Sequence, residues 1–168
     1  MSPEPPINKP CFMMDHMVIR LGKYLRIIGY DAEWVMGVRT HDLIQRANET
    51  GRIFVTRNTH LAEQYPRVRY GIILSENDPA LQFRILVEKL GLNTQTDLFS
   101  RCIRCNVILD LMADKSVAEA LVHPNVYRRQ EHFFRCPHCG TIFWHGSHVA
   151  NTCRKLCISD SLPIPPQE

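Results

Sequence analysis

At 168 residues, 45% hydrophobic and 22% charged, the chain has the size and balance of one folded domain with a small appendage, not of a disordered segment. It contains no run of eighteen apolar residues, which excludes a membrane-spanning helix, and Met1 to Pro10 lacks the apolar core of a secretory signal. The net charge of +3 is uneven: residues 1–100 are close to balance at +1, residues 101–157 carry +4, and residues 158–168 carry −2. A compact basic segment beside a balanced domain is compatible with a polyanionic partner. Seven cysteines without a signal point to a reducing compartment and to metal binding, so the expected location is intracellular, in the cytoplasm.

Residues 1–10 are proline-rich and polar and are expected to be a flexible tail. Cys11 to Met14 reads as a short buried strand ending at Asp15. Met17, Leu21, Tyr24, Leu25 and Ile28 recur at helical spacing, and Gly29 stops that helix. Asp31 to Val35 reads as a second strand. Thr40 or its neighbour caps a helix to about Thr50, with Leu43, Ile44 and Ala47 facing inward and Gly51 ending it. Arg52 to Thr56 is a β-branched and aromatic strand, Asn58 to Gln64 a short helix, and Tyr70 to Leu74 a fourth strand. Asp78-Pro79 has the form of an N-cap followed by proline at the first helical position, opening a helix that runs to Leu90. This strand–helix alternation predicts an α/β fold, a parallel sheet with helices on both faces. The expected boundaries are 11–95 for this domain, 101–150 for a second module, and a flexible tail at 159–168.

The second module is defined by Cys102-Ile-Arg-Cys105 and Cys136-Pro-His-Cys139. Two such knuckles supply four soft ligands for a tetrahedral Zn²⁺. With all four positions taken by cysteine, none is left for water, so the metal is expected to be structural. The 30 residues between the pairs exceed common ribbon spacings and predict a short helix around Ser116–Val122, ended by His123-Pro124. Thr141 to Trp144 reads as a ribbon strand. Cys153 and Cys157 read as two reduced cysteines on a terminal helix, outside the zinc set.

In open parallel sheets, ligands bind beyond the carboxyl ends of the strands. There the chain delivers Asp15, His41 and Asp42, then Thr56-Arg57-Asn58, and finally Ser75 to Asp78. Such oxygen ligands suit Mg²⁺ or Mn²⁺, which activate water and clamp a phosphate. Each has a plainer reading: Asp15 and Asp78 as caps, Asp42 as a residue favoured by the helix dipole. Arg20, Lys23 and Arg26 form a basic stripe at three-residue spacing, either a phosphate-contacting face or a solvated one. Arg57, on the carboxyl edge, is a further candidate for phosphate.

The stretch Met14-Asp15-His16-Met17, with Leu21-Gly22-Lys23-Tyr24-Leu25-Arg26-Ile27-Ile28-Gly29-Tyr30-Asp31, resembles the opening of the Mut-7 C-terminal RNase domain family. So do Gly51 to Arg57, Arg101-Cys102-x-x-Cys105-Asn106, Cys136-Pro137-x-Cys139-Gly140 and Phe143-Trp144-x-Gly146-Ser147-His148. The resemblance spans about residues 11–150. It implies a PIN-like nuclease domain joined to a zinc ribbon, with metal-dependent cleavage of RNA. It also implies a site built on Asp15, Asp42 and Asp78; Asn58 stands where the family carries an acid. The alternative is a catalytically weakened nuclease fold acting as an RNA-binding module.

Overall fold

The computed structural model describes residues 9–158. The tails expected at 1–10 and 159–168 lie outside these residues except for Lys9 and Pro10. Lys9 is tied down, its ammonium donating to Asp97 at 2.6 Å and to the Gly29 carbonyl at 2.9 Å.

The strands β1 (Phe12–Met14), β2 (Ala32–Glu33), β3 (Ile53–Thr56) and β4 (Gly71–Ile73) form one parallel sheet in the order β2-β1-β3-β4. The helices α1 (Ile19–Ile27), α2 (Thr40–Thr50) and α3 (Leu61–Gln64) connect them, and α4 (Pro79–Leu90) follows β4. β1 and β3 are apolar or β-branched throughout because both faces are covered. Their alternation sorts the core. Phe12, Met14, Ile53 and Val55 face the large cluster with Leu21, Leu25, Phe83 and Leu86 of α1 and α4. Met13 and Phe54 face the smaller cluster with Leu43, Ile44 and Ala47 of α2 and Leu61 of α3.

Register sets up the carboxyl edge. β1 pairs with β3 at Phe12↔Ile53, Met13↔Phe54 and Met14↔Val55, which brings Asp15 level with Thr56. Gly29 closes α1 at φ 82°, where a Cβ would stand 2.4 Å from that of Asp97; only glycine fits both the turn and the contact.

The second sheet is antiparallel: β5 (Asp110–Leu111), β6 (Phe134–Arg135) and β7 (Ile142–Phe143) in that order. The expected helix over Ser116–Val122 is instead a 3₁₀ turn at Lys115–Ala118, followed by α5 (Pro124–Arg129). Pro124 starts that helix: it sits at the first helical position, and the His123 ring caps it, Nδ1 accepting from the Asn125 amide at 3.2 Å. The last helix, α6 (Ser147–Leu156), begins inside the range expected for the zinc module and runs past it. Its Val149, Cys153 and Leu156 join the large core of the parallel sheet, so the chain returns to the first layer after leaving it.

Candidate functional site

The four cysteines converge. The sulfurs of Cys102, Cys105, Cys136 and Cys139 all lie within 4.8 Å of one another, and Cys102 and Cys139 are 4.0 Å apart. A tetrahedron with Zn–S bonds of ~2.3 Å has edges of about 3.8 Å, so the set fits Zn²⁺ with small adjustment. The knuckles repeat each other. In the first, the Cys105 amide donates to Cys102 Sγ at 3.4 Å, Asn106 N to Cys102 O at 2.9 Å, and Cys102 N to Val107 O at 2.8 Å. In the second, the Cys139 amide donates to Cys136 Sγ at 3.4 Å, Gly140 N to Cys136 O at 2.9 Å, and Cys136 N to Thr141 O at 3.0 Å. Asn106 and Gly140 take the left-handed turn that each knuckle needs, at φ 65° and 73°. The thiols are in electrostatic conflict: the Thr141 hydroxyl holds Cys139 down to about 6, while desolvation and neighbouring sulfurs push Cys105 up to about 12. A divalent ion held by Cys102, Cys105, Cys136 and Cys139 would resolve the conflict by taking all four as thiolates.

The first knuckle grips the edge of the parallel sheet. β2 is an edge strand, and Asn106 covers it, its Oδ1 accepting from the Ala32 amide at 3.1 Å while its Nδ2 donates to Asp31 at 2.6 Å. Asp31 in turn receives Arg52 bidentately at 2.7 and 3.0 Å. Arg26 completes the lock. Its Nε donates to Ala32 O at 2.8 Å, its Nη1 to the carbonyls of Ile103 and Arg104 at 2.9 Å each, and its plane lies 3.5 Å from the Trp34 ring centroid. The basic stripe therefore has two members, not three. Arg20 and Lys23 are exposed, but Arg26 is 4% exposed and its donors face protein carbonyls, not phosphate.

At the carboxyl edge, Asp15 is 2% exposed. It precedes the 3₁₀ turn His16–Val18 but makes no side-chain cap there, so its burial serves something other than capping. Oδ2 accepts from the Thr56 hydroxyl at 2.6 Å, and Thr56 Oγ1 accepts from the Asn58 amide at 3.0 Å. His16 Nδ1 lies 2.6 Å from Oδ1, an ion-pair distance without good hydrogen-bond alignment, so that buried oxygen has no aligned donor. The His16 side chain is mostly exposed.

The other candidates are engaged locally. Asp42 sits in the first turn of α2 with Arg39 and His41 each 3.2 Å away; hydrogen bonds from His41 and then Arg39 hold its carboxyl below the ordinary range. Asp78 caps α4, accepting from Ala80 N at 3.1 Å. Asn58 orders the turn before α3: Oδ1 accepts from His60 N at 3.0 Å, and Nδ2 donates to Gln64 at 2.8 Å. Arg57 donates to Asn77 Oδ1, bridging the loops after β3 and β4, while its buried Nε has no partner. Among the described residues, the cysteines alone form a metal-sized group of three or more His, Cys, Asp or Glu ligands. Thr56 stands among the carboxyl-edge groups and Asn106 in the knuckle motif; the register of β1 against β3 and the paired knuckle turns give them their roles.

The model of the Mut7-C RNAse domain matches residues 10–156, which includes the sheet, both knuckles and all of α6. The chain belongs to the Mut7-C RNAse domain family. A comparison with curated proteins finds no match. The Mut7-C match joins two features that the geometry also joins, the parallel sheet with Asp15 on its carboxyl edge and the cysteine cluster suited to zinc. No helix among the described residues is long and apolar enough to cross a membrane.

Proposed function

We propose that this Mut7-C chain is a ribonuclease that engages RNA at the carboxyl edge of a PIN-like parallel sheet, with Asp15 as its central acid and an intracellular, reducing setting. The observation that carries this is Asp15 itself: a carboxylate buried at the end of a central strand, oriented by Thr56 and unused as a cap. Burying a carboxylate is costly, and stability alone gives no reason to keep it. Asp42 is the second acid. Arg57, Arg20 and Lys23 hold phosphate, and the zinc ribbon braces the sheet. His16 lies beside Asp15, its Nδ1 2.6 Å from Oδ1, and its exposed ring is available to take or give a proton at the reacting oxygen. Asp78 and Asn58 are committed to local turns, so a divalent ion would be held at this edge with help from the substrate.

The experiment is cleavage of a single-stranded RNA in Mn²⁺ and in EDTA, by wild type and by Asn58→Asp. Cleavage that needs Mn²⁺ and rises in Asn58→Asp assigns the chemistry to an ion gathered with the substrate. Cleavage that survives EDTA assigns it to His16. A second reading, an RNA-binding module that does not cut, is favoured by the amide at Asn58; it predicts salt-sensitive RNA binding with no cleavage in either condition.

A further inference from the structure

Between the ribbon and the parallel-sheet layer lies a cleft of about 250 Å³ that the acidic edge does not use. One side is an aromatic ladder. Phe99 meets His145 at 5.8 Å between ring centroids, and His145 stacks on Phe134 at 5.1 Å with 28° between planes. Phe143 and Trp144 continue the wall from β7, and Thr152 of α6, half-buried, also lines the cleft. Burial, with His132 nearby, lowers the pKa of His145, which favours a neutral, stackable ring. Arg101 also lines the cleft, its guanidinium fixed by the carbonyls of Gly29 and Asn106, a planar cation of the kind on which bases stack.

We propose that this cleft binds one unpaired nucleobase of single-stranded RNA, stacked against the Phe99–His145–Phe134 ladder; the choice of RNA rests on the ribonuclease reading above. Three features favour that occupant. The volume falls below the ~300–1,000 Å³ of ordinary small-molecule pockets, enough for a planar ring system and too small for a duplex or a peptide helix. The walls are aromatic and bind any base by stacking, the device of single-strand binders. The lining also carries a cation: Arg101 makes no ion pair among the described residues, so a phosphate beside a docked base meets its positive charge.

The test is fluorescence anisotropy on the zinc-loaded full chain, with a labelled ten-nucleotide single strand and the same sequence as a duplex. Thr152→Phe fills the cleft from the helix side and leaves both knuckles intact; Phe143→Ala, which removes a wall, is the second variant, with zinc content checked for each. Loss of one base stack predicts single-strand affinity lowered about tenfold in either variant and duplex affinity unchanged. Single-strand affinity equal to wild type in both zinc-loaded variants overturns the cleft, and so does an equal loss for strand and duplex. In those cases RNA is still bound and the ribonuclease reading stands. Wild type that binds no RNA at low salt removes both.

Discussion

Burial on its own would raise the Asp31 carboxyl, but hydrogen bonds from Arg52 and Asn106 outweigh it and hold the group below the ordinary range. Because the folded value lies below the unfolded one, ~3.9, the stabilisation is present above that pH and lost as pH falls through the folded value. Asp31→Asn is expected to flatten the acid limb and to cost about 1–3 kcal/mol at pH 7, measured by urea unfolding from pH 3 to 7. Arg26 poses a different problem. Burial lowers its pKa to about 10, still charged at neutrality, and its three carbonyl partners lose their donors together if it is shortened. Arg26→Lys should cost about 2–3 kcal/mol, since an ammonium cannot reproduce the planar fork. Arg20→Ala or Lys23→Ala should move stability by less than about 0.5 kcal/mol and lower the salt slope of RNA binding by about 0.7. The three-residue spacing of Arg20, Lys23 and Arg26 was legible in the sequence. What buries the third was not, because Ile103 and Arg104 are more than seventy residues away.

At the scale of elements, the ribbon and the edge strand are one mechanical unit. The Ala32 amide has its partner on Asn106, and Asn106 holds its left-handed turn as part of the first knuckle. Structural zinc contributes ~10–16 kcal/mol in small zinc-finger peptides, so chelation, or Cys136→Ser, should unfold the ribbon. It should also raise hydrogen exchange at Ala32 well before exchange at Val55 in the sheet centre. Equal protection of Ala32 with and without zinc would show that the edge stands alone. The sheet strands were readable because β1 and β3 are buried on both faces and so apolar throughout. Of the ribbon, β7 was readable within Thr141–Trp144; β5 and β6 were not, since each has two residues, too few for a period. In α6, Val149, Cys153 and Leu156 fall at helical spacing, but only the tertiary fold reveals that this face packs back onto the first layer.

For the whole molecule, the parallel topology gathers the loops after all four strands on one edge, and the zinc module clamps the far side of β2. Asp15 was legible as a candidate from its place after an apolar strand. Its orientation by Thr56 follows from the register of two strands forty residues apart, which no local pattern carries. Asp78 was legible as a cap, and the structure keeps it there. Asp15 is therefore the residue on which the account turns. The most direct test compares wild type with Asp15→Asn, both zinc-loaded, in cleavage of a single-stranded RNA, with thermal unfolding recorded alongside. Asparagine still accepts from Thr56, so the account predicts a melting temperature within a few degrees of wild type and cleavage reduced at least about a hundredfold, the lower end of what a positioned acid or base contributes. Asp15→Asn that cuts RNA as fast as wild type would contradict it.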